Sequence, residues 1–292
     1  MASVAVERPV DQGAPVKRAR RRGLLLLAVL VLLWGFWEGF RALGIHYGWQ
    51  RPFTVDATSM PHIHDMIWAL FQRPNPEAPL LIVTLLKAAA FTGREAALGF
   101  AMGAPGGFAI GALLAHSRML QRGLLPYVVA SQTIPILAIA PMVVIWLASV
   151  QVTPWVSVAV IAAYLTFFPV VIATIRGLQA ADHRAVELMR SYAANRWTVL
   201  WKLRFPMALP FLFSALRISA TASIVGAIIG EQPSSIAGGL GGAILNFAQY
   251  YSFQPQNLWA TNIIAAALGI AFFLVVVAAE KLVVRRAPEH VA

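Results

Sequence analysis

Apolar residues in this chain run in long blocks separated by short polar stretches rich in arginine and proline. A helix needs about 20 apolar residues to cross a hydrocarbon core of roughly 30 Å. Six blocks qualify, at 24–43, 96–115, 124–148, 155–175, 207–230 and 259–281. The pattern predicts an all-α integral membrane protein, a bundle of six transmembrane helices, because only helices and closed barrels satisfy their backbone groups in lipid. Residues 45–79 are polar, carry Pro52, Pro61, Pro74, Pro76 and Pro79, and are expected to form an outer connection. From 80 to 95 the pattern is helical but interrupted by Lys87, Arg94 and Glu95, as expected of a stretch at the interface or lining protein.

The placement of charge adds orientation. Lys and Arg accumulate in cytoplasmic loops. With the N-terminus inside, most of the 23 basic residues fall on inner segments. These are the tail (Arg8, Lys17, Arg18, Arg20, Arg21, Arg22), the short loop with Arg118 and Arg122, the loop 176–206, and the end with Lys281, Arg285 and Arg286. Both termini are therefore expected in the cytoplasm. Residues 1–23, with Pro9, Pro15 and the basic cluster, read as a disordered tail lying near anionic lipid headgroups. Basic residues followed by an apolar run also open a signal peptide. Here the run continues past Trp37 with no small-x-small cleavage site, so a retained span is expected.

Composition agrees with that picture. Of 292 residues, 59% are hydrophobic and 12% charged, and the mean hydropathy is +0.70. A soluble globule has no way to bury so much apolar surface. The net charge of +11 is spent on the inner loops, so nucleic acid is not an expected partner. There is no cysteine, which excludes disulfides and thiolate metal sites.

Within the spans, Gly99, Gly103, Gly107 and Gly111 recur every four residues, and Ala215, Ser219, Ser223 and Ala227 repeat the idea. Small residues let helix backbones approach in lipid; packing within the chain is the favoured reading over a subunit interface. Pro105, Pro135, Pro141 and Pro169 interrupt three spans, with Gln132 and Thr133 beside Pro135. Freed carbonyls need a partner or water, so these positions are expected around a wet translocation path. Arg217 sits about ten residues into its span, where an unpaired charge is costly. It is expected to face the interior, paired with a backbone carbonyl or with Glu231. Glu231, just beyond that span, is read equally as a gate or substrate contact and as a cap of the helix end.

The stretch 182–210 reads DHRAVELMRSYAANRWTVLWKLRFPMALP. It is polar, in helical register, with Arg184, Arg190 and Arg196 outside and Val186, Met189, Val199 and Leu200 as possible contacts. An apolar ridge with a charged rim suits docking to a soluble partner. The stretch resembles the coupling motif of binding-protein-dependent ABC importer permeases: E-A-A, three residues, G, nine residues, I-x-L-P. Glu187 matches the Glu, Leu203 the Ile, and Phe205-Pro206 the Leu-Pro, while Leu188 and Met189 replace the alanines and Ala193 the glycine. Gln132-Thr133-Ile134-Pro135, Ala140-Pro141, Ile145-Trp146, Ala208-Leu209-Pro210 and Ala215-Leu216-Arg217 also resemble this family, most closely its nitrate/sulfonate/taurine branch, which also serves thiamine-precursor and riboflavin-type uptake.

The resemblance covers roughly 80–281 and implies the type I importer fold. It divides the chain into the tail 1–23, a first helix and outer loop 24–79, a permease domain 80–284 with coupling loop 176–206, and a cytoplasmic tail 285–292. It further implies a subunit without its own catalytic site or cofactor, sitting in the inner membrane as a homodimer or with a similar subunit. A separate ATPase would grip 187–206, and an extracytoplasmic solute-binding protein would deliver the solute. A sulfonate- or nitrate-like anion and a vitamin or heterocyclic precursor are both open as substrate.

Other patterns are weaker. Gly238-Gly239-Leu240-Gly241-Gly242 lacks the Lys-Ser/Thr of a phosphate loop. His62-Ile63-His64-Asp65 resembles a metal cluster, but no further ligand set is evident, so a solvated loop is expected and no metal. Ser131 and Ser219 have no His/Asp companions. The aromatics Tyr250, Tyr251, Phe253 and Trp259 suit interfacial anchoring. The rival function is a self-contained ion-coupled transporter. It is disfavoured because acidic residues in the spans are few (Glu38 and Glu280 at span ends) and no inverted repeat is visible. A membrane-anchored enzyme would need a catalytic constellation, and none is evident.

Overall fold

The computed structural model describes residues 14–49, 54–56, 58–234, 236 and 238–284. Every regular element among them is helical. The expected tail at 285–292 lies outside the described residues, as does 1–13. The chain divides into two compact units, 1–68 and 69–292.

In the first unit, α1 (Ala14–His46) begins ten residues before the expected span, so 14–23 are helical and not an irregular tail. Its apolar side chains at Leu24, Leu25 and from Leu27 through Phe36 are largely exposed, as befits a lipid-facing helix. The segment after it returns to α1: Trp37 Nε1 donates to the Pro61 carbonyl at 3.2 Å and Arg41 Nε to the Met60 carbonyl at 2.8 Å. A short helix, α2 (Ile63–Ala69), ends this unit.

The second unit contains the 36-residue helix α3 (Leu81–His116). The stretch 80–95 is thus no separate interfacial element but the first four turns of α3. At 1.5 Å per residue this helix is about 54 Å long, well beyond the hydrocarbon thickness. Arg94 is accommodated there because its guanidinium lies 5.0 Å from the Trp155 ring centroid, a cation–π contact. Ser117 closes α3 with an extended backbone and opens α4 (Arg118–Ser131), its Oγ accepting from Leu120 N at 3.3 Å.

The expected third span at 124–148 is broken. Helix α4 and α5 (Ile136–Ser149) meet at 96° across four residues ending in Pro135. Proline disfavours a helical residue before it and removes a donor, which explains a break there. Pro105 and Pro169, by contrast, sit inside unbroken helices, α3 and α6 (Pro154–Gln179), and Pro141 inside α5. Of the interruptions expected at prolines, only the one at Pro135 occurs. After α7 (His183–Ser191) and α8 (Arg196–Val199), a π-helical turn at Leu200–Arg204 runs without a break into α9 (Phe205–Glu231). Helices α10 (Leu240–Gln249) and α11 (Pro255–Val283) complete the unit. Among the described residues five helices are long and apolar enough to cross a membrane, and the bent α4–α5 pair makes a sixth if counted as one span.

The core lies where α6 is gripped between α3 and α9. Buried Ala96, Val158, Ala162, Ile224 and Ala227 form one cluster there. The glycine stripe of α3 makes the approach possible: a Cβ on Gly99 would stand 2.6 Å from the Ala159 carbonyl, one on Gly107 2.6 Å from that of Phe167, and one on Gly111 2.6 Å from Thr174 Cβ. From the other side Ser219 Oγ donates to the Thr166 carbonyl at 3.0 Å, and Gly226 packs on Ala162. Both stripes pack within the chain, as small-residue crossings in lipid do.

Candidate functional site

The loop between α6 and α9 is built from two capped short helices. Asp182 Oδ1 accepts from Arg184 N at 3.0 Å to start α7, and Asn195 Oδ1 accepts from Thr198 N at 2.7 Å to start α8. Between them Ala193 has φ of 57°, the left-handed region. This is the position at which the motif carries glycine, and an alanine there costs about 1 kcal/mol in backbone strain. Ala193→Gly is therefore expected to slow amide exchange across 189–199, by up to about 5-fold for that energy.

Glu187 is exposed on α7, its Oε1 3.3 Å from His183 Nδ1 one turn earlier. Met189 and Leu203 are half-buried, and Pro206 is exposed in the first turn of α9. Phe205 packs inward, its ring 5.2 Å from that of Trp201 and 6.1 Å from that of Phe108 on α3. The contact residues expected on this loop need correction. Val186 and Val199 are buried against the bundle, and Met189 and Leu200 are half-buried. The large apolar side chains that remain exposed on the loop are Leu188, Tyr192, Trp197 and Trp201, at 60%, 80%, 70% and 57%. Leu188 is as apolar as Val186, so hydropathy does not separate the exposed edge of α7 from the buried one; the way α7 lies on the bundle does. Beside α7 opens a cavity of about 1220 Å³ whose lining includes Arg118, Arg122, Arg190 and Arg204.

The residues expected along a translocation path are dispersed. Gln132, Thr133 and Pro135 are exposed at the α4–α5 bend, where the Tyr164 hydroxyl donates to the Ser131 carbonyl. Arg217 pairs with Glu280 of α11, Nε to Oε2 at 3.4 Å, and not with Glu231. The span-end position of Glu280 hid this, because α9 and α11 run past each other. Glu231 is 1% exposed. Its Oε1 accepts from Thr92 Oγ1 at 2.6 Å and its Oε2 from Gly241 N at 2.5 Å, while Leu240 N donates to Thr92 Oγ1 at 2.9 Å. Glu231 thus joins α3, α9 and α10. The fully buried Glu95 carboxyl, one turn along α3 from Thr92, lies beside the Glu231 carboxyl, a costly placement for two acids. From the sequence Glu95 reads only as an interruption of the helical pattern at 80–95, not as a site residue.

Removing the Glu231 carboxylate leaves Thr92 and Gly241 as unsatisfied buried donors. Glu231→Ala is expected to cost about 3 kcal/mol, read as a fall of roughly 5–10 °C in the Tm of the detergent-solubilised protein. An unchanged Tm would show that the three-helix junction does not depend on the carboxylate.

These features define a polytopic helical membrane protein with a structured loop projecting between two spans. Residues 107–287 match the family described as binding-protein-dependent transport system inner membrane component, and the chain belongs to that family. It is an ABC importer permease, a multi-pass membrane transport protein. It is 31% identical over 172 residues to the riboflavin transport system permease of Chloroflexus aurantiacus, covering 59% of this chain and 61% of that one. To a probable ABC transporter permease of Haemophilus influenzae it is 31% identical over 217 residues, 74% and 78% of the two chains. To a putative aliphatic sulfonates transport permease of Bacillus subtilis it is 28% identical over 258 residues, 85% and 81%.

Proposed function

We propose that this permease subunit imports a small solute across the cytoplasmic membrane and is driven by a separate ATPase that grips the α7–α8 loop. The observation that carries the reading is the exposed ridge of Leu188, Tyr192 and Trp197, bordered by Glu187, Arg184, Arg190 and Arg196. Aromatic anchors within a charged rim are what a docking hot spot requires. Glu187, Met189 and Ala193 shape the ridge, and Leu203, Phe205 and Pro206 join it to α9. In this reading both termini are cytoplasmic, two copies or a copy and a similar subunit enclose the path, and a solute-binding protein delivers the cargo on the far side. ATP binding favours one of two arrangements of the bundle through contacts at the loop, as a ligand with differential affinity must. The domain limits expected from the sequence are kept for the permease part at 80–284, its path lined in part by Gln132, Thr133 and Pro135.

For the solute, a heterocyclic vitamin or precursor comes first. Arg217 is paired with Glu280 and so offers no free charge to an anion, and one 31%-identical relative is named for riboflavin. A sulfonate is the alternative, supported by the relative named for aliphatic sulfonates. The test is co-purification of the permease with the ATPase encoded beside it, followed by uptake into proteoliposomes. ATP-dependent uptake that a flavin or pyrimidine competes for, and sulfonates do not, supports the reading. Uptake by the chain alone on an ion gradient would replace it with a secondary transporter.

A further inference from the structure

The His62-Ile63-His64-Asp65 stretch lacks a further ligand in its own neighbourhood of sequence, and α1 supplies one. Glu38, 24 residues before His62, places Oε2 at 2.8 Å from His62 Nδ1 and accepts from Ile63 N through Oε1 at 3.2 Å. One donor atom from each of Glu38, His62 and His64 lies within 4.8 Å of the others, and the two imidazole rings are 4.8 Å apart, tilted by 32°. Asp65 Oδ1 stands 3.1 Å from His64 Nε2. A carboxylate on one imidazole nitrogen is the arrangement that orients the other towards a metal.

The surroundings hold this group in place. Trp37 and Arg41, on either side of Glu38 along α1, bond the Pro61 and Met60 carbonyls immediately before His62. Val55 closes against Gly44, so close that a Cβ there would meet it at 2.7 Å. An ion pair with a helix cap explains Glu38 and His62. It does not explain why His64, 74% exposed, turns its ring beside that of His62. Two neutral imidazoles and a carboxylate form a borderline donor set suited to zinc-like ions, whereas calcium and magnesium prefer oxygen alone.

We propose that Glu38, His62 and His64 bind one divalent transition-metal ion of the zinc class, clipping the segment before α2 to the C-terminal half of α1. Three protein ligands leave a fourth tetrahedral position for water. The proposal is independent of what the permease carries.

The test uses the full chain, purified in detergent without a histidine tag and titrated with Zn²⁺ and Co²⁺. One equivalent of Co²⁺ is expected to bind with a tetrahedral visible spectrum and to be displaced by Zn²⁺. His62→Ala and His64→Ala are each expected to weaken binding by more than about 100-fold, and Asp65→Asn by about 10-fold, the scale for an outer partner. His64 is the decisive position because its exposed ring supports no packing. His64→Cys introduces the only thiol in the chain, so bound Co²⁺ should then show a sulfur-to-metal charge-transfer band. Equal titrations for wild type and His64→Ala, or no such band from His64→Cys, would overturn the proposal.

Discussion

Leu188→Asp combined with Tyr192→Asp is expected to separate the permease from its ATPase and to abolish ATP-driven uptake. Both side chains point away from the bundle at 60% and 80% exposure, so the change leaves the subunit's own packing untouched. At the centre of an interface such anchors are worth about 2–4 kcal/mol each, and a buried carboxylate in their place adds desolvation to the loss. Affinity should fall by more than about 1,000-fold. The readouts are co-purification and solute-stimulated ATP hydrolysis in proteoliposomes, with the Tm of the permease alone as control. An intact complex would place the docking surface elsewhere. Glu187→Arg, on the same helix, should give a smaller defect, since a rim charge mainly alters association rate.

Gly103→Leu is expected to yield no folded permease. A Cβ at Gly103 would stand 2.8 Å from Thr166 Cβ and 3.0 Å from Ala163 Cα, with the Ala163 carbonyl closer still. These are backbone and β-branched atoms of α6 with no rotamer to move aside, so α3 and α6 must separate. That loses the Gly99, Gly107 and Gly111 approaches together, far more than the 1–3 kcal/mol of ordinary overpacking. Gly106 lies three residues on, and a Cβ there meets nothing within 4 Å. Gly106→Leu should therefore give a protein that elutes as wild type on size exclusion. Equal behaviour of the two variants would show that the close crossing is not needed.

That contrast also marks what was legible in the sequence. The four-residue glycine period announced a tight helix face, because periodicity survives without knowledge of the partner. The apolar blocks announced the spans for the same reason. Where the outcome depended on a distant residue, the sequence was silent or misleading. Thr92 and Glu231 meet across 139 residues, and Arg217 finds Glu280 on another helix. Lys87, Arg94 and Glu95 left 80–95 open between a stretch at the interface and one lining protein. In the fold Glu95 is buried and Arg94 rests on Trp155, and neither shelter is visible one-dimensionally. The proline signals were overread, since a helix longer than the membrane carries Pro105 without breaking. At Pro135 the non-helical residues before it produced a true corner. On the loop, the helical register was legible, but Val186 and Val199, read as possible contacts, are buried against the bundle, while Leu188 and Tyr192 are exposed.

The unbroken run of 36 helical residues from Arg196 to Glu231 has a mechanical consequence. If the run tilts as a rigid body about the contact of Ser219 with the Thr166 carbonyl on α6, it acts as a lever of the first kind. At 1.5 Å per residue the arm on the loop side measures about 34 Å and the arm towards Glu231 about 18 Å. A rotation of about 10° that displaces Arg196 by roughly 6 Å therefore moves Glu231 by only about 3 Å in the opposite sense. The stroke is halved and the force doubled. Three ångströms is enough to pull the Glu231 carboxylate out of hydrogen-bonding range of Thr92.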